Sequence, residues 1–154
     1  MNEPVTRHDT IVVRHNFDAS AARVFRAWAE PKYLARWHTP GDATWTVKTM
    51  EHDFRVGGRR RMKFGPPADE QYYEDCRYED IVVDRRICYA MTIARGETRI
   101  TTSMVTVEIA PTSTGTKLTV TDQIAILDGG DTAKDRERGW SETLDRLPAV
   151  LLEA

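Results

Sequence analysis

The chain has 154 residues, 40% hydrophobic and 30% charged, with 24 acidic against 22 basic side chains and a formal net charge of −2. That length makes one domain of ordinary size, able to bury roughly 68–70% of its unfolded surface without disulfide or metal staples, and the apolar content excludes wholesale disorder. The slight acidity excludes a general affinity for nucleic acid, since the one basic run, Arg59-Arg60-Arg61, is short.

In chain order, Thr10 to Asp18 carries Ile11, Val12, Val13 and Phe17 and predicts a strand. Ser20 offers an N-cap hydroxyl to a helix from Ala21, in which Val24, Phe25 and Trp28 share one face. Pro31 opens a second short helix through Lys32 to Trp37, and Pro40-Gly41 ends the helical section. Trp45 to Phe54 and Arg60 to Phe64 form a hairpin about Gly57-Gly58, where glycine permits positive φ in a tight reversal. Gly65-Pro66-Pro67 is a loop, and Tyr72 to Val83 and Ile87 to Ala94 form the next hairpin about Asp84-Arg85. Thr98 to Ala110 and Thr116 to Ile126 follow, with alternation such as Leu118 and Val120 against Thr119 and Thr121.

The last segment, Asp131 to Leu152, is helical, with Trp140, Leu144, Leu147 and Leu151 in a single stripe. Arg136, Glu137, Arg138 and Glu142 fall on or beside its solvated face, and Pro148 predicts a kink or an early end. The order is strand, two helices, six strands, long helix. It predicts an α+β domain spanning residues 1–154, whose antiparallel sheet curls around something.

No run reaches the ~18 apolar residues of a membrane span, and the opening residues lack a basic-then-apolar leader, so the expected location is the cytoplasm, with no membrane partner. Cys76 and Cys88 are expected to be buried free thiols, because paired strands would leave them out of register. His8, His15 and His52 show no ligating pair, so no metal and no cofactor are expected.

Four stretches carry a family resemblance. They are Val24-Phe25-Arg26-Ala27-Trp28-Ala29-Glu30-Pro31 with Leu34-Ala35-Arg36-Trp37; Asp53-Phe54-Arg55-Val56-Gly57-Gly58; Gly115-Thr116-Lys117-Leu118-Thr119-Val120-Thr121; and Gly139-Trp140 with Leu144 and Leu147. Together, in this order, they resemble the activator of heat-shock protein 90 ATPase homologue-like family of the START-like (Bet v 1-like, SRPBCC) superfamily, over Thr10 to Leu152. The resemblance implies a helix-grip fold, in which a curved sheet of six or seven strands wraps the C-terminal helix and leaves an apolar cavity. Arg60 stands where the family often has an aromatic residue, Val83-Asp84 replaces its usual Pro-Pro turn, and Pro148 is foreign to its last helix.

Strand parity assigns the inward positions. Arg60, Met62 and Phe64 share a face, as do Tyr89 and Met91 with Ile87 and Ile93, and Leu118 and Val120 with Asp122. Tyr72, Cys76 and Tyr78 are in phase, and Trp140 and Leu144 close the space from the helix. With Trp37, these residues give the candidate ligand-binding set: Trp37, Arg60, Met62, Phe64, Tyr78, Tyr89, Met91, Asp122, Trp140 and Leu144.

Each polar candidate has two readings. Arg60 either grips an anionic ligand group or sits at the rim, reaching solvent or an acid. Asp122 either acts on a ligand hydroxyl or makes a structural ion pair. Tyr78 and Tyr89 either bond a ligand or place rings in the core, and Trp37 and Trp140 either stack on a ligand or anchor their helices. His38 is read as an exposed helix-terminal histidine, and Ser103 has no companions for nucleophilic catalysis.

The leading functional expectation is a module that binds a hydrophobic or amphipathic small molecule between sheet and helix. The alternative, from superfamily cyclases and aromatases, is an enzyme using Asp122, Arg60 and Tyr78. A third, from the family name, is a protein that stimulates a chaperone ATPase. An edge strand or the apolar helix offers a route to a homodimer.

Overall fold

The computed structural model describes residues 3–39 and 44–154, so the expected break at Pro40-Gly41 lies outside the described residues. The element order is β1 (Thr6–Phe17), α1 (Ala21–Ala29), α2 (Pro31–Trp37), β2 (Thr46–His52), β3 (Arg59–Gly65), β4 (Tyr72–Val82), β5 (Arg86–Arg95), β6 (Thr98–Pro111), β7 (Thr116–Leu127) and α3 (Ala133–Leu151). All seven strands form one antiparallel sheet in the order β1-β7-β6-β5-β4-β3-β2. This is the helix-grip α+β architecture.

Local chemistry accounts for the element ends. Ser20 Oγ accepts the Arg23 backbone N–H at 3.2 Å and caps α1, and Pro31 starts α2 at its first turn. Thr132 does the same for α3, accepting from the Asp135 N–H at 3.1 Å. In the β2–β3 reversal Gly57 has φ +82°, and a Cβ on Gly58 would lie 2.1 Å from the Asp53 carbonyl oxygen, so both positions demand glycine. β1 starts four residues before the hydrophobic run. Thr6 to Asp9 are exposed, and their ladder to Leu127–Ile124 of β7, not apolar patterning, makes them strand.

The sheet alternates. In β7, Leu118, Val120, Asp122, Ile124 and Ile126 are buried and their neighbours are more open, the pattern of a sheet with one wet face. Across the inner face lie α1, α2 and α3. Trp28 and Trp37 meet edge to face at 4.6 Å between centroids, and with Leu144, Leu147, Val150 and Leu151 they fill the main core.

Three expectations are corrected. α3 runs through Pro148 to Leu151 rather than ending early, and Pro148 itself is exposed. Arg136 is buried against the sheet, not solvated. Cys88 is only half-buried, while Cys76 is fully enclosed, and both are free thiols. Among the described residues, no helix is long and apolar enough to cross a membrane.

Candidate functional site

The register of the ladders lines up side chains across the inner face. His52 of β2 lies opposite Arg60 of β3, Arg60 opposite Cys76 of β4, and Cys76 opposite Met91 of β5. One step along, Met62 faces Glu74 and Glu74 faces Ile93. Strand pairing therefore brings a guanidinium, a carboxylate and a thiol together inside the fold, and the C-cap residue of α2, His38, joins them from above.

Arg60 is completely buried, not at the rim. Its Nε and Nη2 donate to Glu74 Oε1 at 3.1 and 2.5 Å, its Nη1 donates to the Tyr78 hydroxyl at 3.0 Å, and its Nη2 lies 3.3 Å from Cys76 Sγ. The guanidinium also stacks over the Tyr89 ring, 4.8 Å from its centroid. The Tyr78 hydroxyl, accepting from Arg60, has its proton left for His52 Nε2 at 2.7 Å. The chain of bonds runs from Arg60 through Tyr78 to His52.

Each charge state follows from these neighbours. Burial opposes ionisation of Glu74, but the charge of Arg60 outweighs it and holds the carboxyl well below the usual range. Burial likewise opposes the charge on Arg60, and the groups packed around it outweigh that. Burial pushes the Tyr78 hydroxyl up to about 12 and the Cys76 thiol up as well, so both stay protonated. Burial, then Arg60, brings His52 down to about 4. Burial also lowers His38, which is neutral.

His38 is buried as well, not exposed, being 5% accessible. Its Nε2 lies 3.2 Å from Arg60 Nη2 and 3.4 Å from Glu74 Oε1. The first contact needs a lone pair on Nε2 and the second needs a proton there, so the two favour opposite tautomers. Since Arg60 can only donate, the shorter contact puts the proton of neutral His38 on Nδ1.

A cleft of about 740 Å³ opens between the first half of α3 and strands β3 to β5. Its aromatic and aliphatic walls are Trp45, Phe64, Tyr72, Met91, Ile93 and Trp140, and its inner end is formed by His38 and Glu74. Gly129 to Thr132 and Asp135, Arg136, Arg138 and Glu142 lie around the outer part. The second half of α3 leaves no such space, since Leu144, Leu147, Val150 and Leu151 belong to the packed core.

A second polar cluster fixes the first half of α3. Asp122 Oδ2, on β7, accepts from Arg136 Nη1 at 2.9 Å and from the Trp140 indole N–H at 3.0 Å. Arg136 also donates to Thr101 Oγ1 at 2.5 Å and contacts Ser103 Oγ at 3.5 Å. The helix is pinned to the sheet at the two residues that border the cleft.

Of the ten residues singled out by sequence, Phe64, Met91 and Trp140 line the cleft. Met62 and Leu144 are buried in the packed interior, and Tyr89 lies beneath Arg60. Arg60, Tyr78 and Asp122 do not line the cleft; Arg60 bonds Glu74 and Tyr78, and Asp122 Oδ2 bonds Arg136 and Trp140. Trp37 is fully buried, with its indole N–H on the Ala27 carbonyl at 3.0 Å. Sequence reasoning passed over Glu74, although the parity that put Tyr72, Cys76 and Tyr78 on the inner face puts Glu74 there too. It also missed Trp45, Tyr72 as a wall residue, and the partnership of Arg136 with Asp122.

Among the described residues, no group of three or more His, Cys, Asp or Glu side chains is arranged to hold a metal ion. No curated protein matches the chain. Among solved structures, a protein from Rhizobium leguminosarum superposes with a TM-score of 0.92 at 33% identity, covering 99% of this chain and 100% of that one. The Mll3558 protein from Rhizobium loti gives 0.86 at 35%, covering 95% and 99%. An AHSA1-like protein from Aeromonas hydrophila shares the fold, with a TM-score of 0.73 at 18% identity over 94% of this chain and 93% of its own. The model of the family described as activator of Hsp90 ATPase homolog 1-like protein matches residues 18–152, and with the helix-grip fold now in place the chain belongs to that family.

Proposed function

We propose that this protein is a small-molecule-binding module that holds an amphipathic ligand in the cleft between β3–β5 and the first half of α3. The observation that carries the reading is the contrast along α3. One half of the helix is packed against core side chains, and the other, pinned to β7, stands over about 740 Å³ of space beside β3–β5, walled by rings and aliphatic groups. Protein interiors are ordinarily filled to crystal-like density, so a gap this large beside a fully packed core is the shape of a ligand site. The polar inner end supplies orientation, as small-molecule sites commonly do.

The test uses a neutral apolar dye, N-phenyl-1-naphthylamine, whose fluorescence rises on entering an apolar site. Saturable enhancement is expected with the wild-type protein. Ile93→Trp, which puts an indole into the cleft from its wall, should weaken binding about tenfold or more while leaving the circular dichroism spectrum unchanged. Equal binding by wild type and Ile93→Trp would place the dye elsewhere and count against the reading.

A further inference from the structure

The charge and hydrogen-bonding character of the cleft restricts the ligand further, given that it is a ligand site. Glu74 is 4% exposed and lines the inner end. Its three hydrogen bonds, from Arg60 Nε and Nη2 and from Cys76 Sγ, end on one oxygen, Oε1. Oε2 accepts no hydrogen bond from the described residues, and Glu74 lines the cleft, so Oε2 is the oxygen left for a ligand. The carboxylate is thus anchored by one oxygen and presents the other as an acceptor.

The rest of the lining points the same way. Glu74, Asp131, Asp135 and Glu142 line the cleft against two cations, Arg136 and Arg138. Both arginines are engaged already, Arg136 with Asp122 at 2.9 Å and Asp131 at 3.2 Å, and Arg138 with Asp135 at 2.8 Å. His38 is neutral. A carboxylate or phosphate on the ligand would find no unengaged cation among the described lining residues, and it would face an acid excess. Trp45 stacks on Tyr72 at 5.2 Å and Phe64 on Tyr72 at 5.8 Å, so the walls offer π-faces, whose negative quadrupole also favours a cation.

We infer that the ligand is an amine: an apolar, aromatic or aliphatic body bearing a protonated nitrogen that donates to Glu74 Oε2. The body lies on Trp45, Phe64, Tyr72 and Trp140, and Glu142 and the acids at the mouth favour its approach.

A matched series on the wild-type protein tests this without any variant. The probes are 2-(1-naphthyl)ethylamine, 2-(1-naphthyl)ethanol and 1-naphthylacetate, each displacing N-phenyl-1-naphthylamine at pH 7. The amine should bind about tenfold tighter than the alcohol, and the carboxylate should be weakest. In the paired variant Arg60→Met/Glu74→Leu, which removes both buried charges together, the dye should still bind while the amine loses its advantage. If the alcohol or carboxylate matches or exceeds the amine in wild type while the dye is displaced, the amine inference falls and the receptor reading stands. If the dye itself does not bind, both fall. Should the paired variant not fold, the wild-type ranking alone decides.

Discussion

Arg60 donates two hydrogen bonds to Glu74 from a position that water does not reach. Removing one partner strands the other's charge, so Arg60→Met alone and Glu74→Leu alone should each destabilise the fold by about 3–5 kcal/mol. The double variant should recover most of that loss, because an apolar pair of similar volume replaces a pair that was costly to desolvate. Urea denaturation of the four proteins in a cycle measures the coupling. The same neighbourhood sets an acid limit. His52 titrates at about 4 in the folded chain against 6.5 when unfolded, so between those values the unfolded chain holds more protons and stability falls as pH falls. His38, also lowered, adds to this with the same sign. Glu74 contributes stability that is full above 4.5, its ordinary value, and is lost progressively below it. Urea midpoints should therefore hold level above pH 6.5, decline below it and steepen under 4.5, and His52→Gln should flatten the upper part of the decline.

α3 has two characters. Its second half, with Leu144, Leu147, Val150 and Leu151, gains about 1.5–3 kcal/mol for each large side chain enclosed, while its first half is held by Asp122 through Arg136 and Trp140. Pro148 interrupts the well-packed half without ending it, because the packing stripe continues on both sides and the proline faces out. Pro148→Ala restores a donor for the Leu144 carbonyl and should raise stability by about 1–2 kcal/mol, the helical gain exceeding the extra freedom of the unfolded chain. A higher urea midpoint at unchanged slope is the expected reading. The elements themselves were legible because each announces itself locally, through the Ser20 cap, Pro31, the paired glycines and the alternation in β7. What exceeded local signals was decided by partners. The polar start of β1 is strand because β7 offers it a ladder, and Arg136 is buried because Asp122 waits beneath it.

At the scale of the molecule, the succession of elements anticipated an α+β domain with a curled antiparallel sheet, and the resemblance carried by the motifs in register implied the grip on the terminal helix. The site was only partly legible. Strand parity says which face a side chain takes and put Phe64 and Met91 at the inner surface, as the helical stripe did Trp140. It does not say how far along the sheet the helix stands off, which is why buried Arg60, Tyr78 and Asp122 resembled ligand-facing groups in the sequence and turn out bonded to the protein.

The sheet order has one more consequence. The first strand lies beside the last, with Thr6 opposite Leu127, so the chain's opening residues find their place only when more than a hundred others have been made. Such long-range closure is entropically slow. During synthesis the β7-pairing edge of β1 waits until β7 has been made, and α3, which roofs the cleft, follows β7 in the chain. The cleft therefore takes shape only after the strand that closes the sheet.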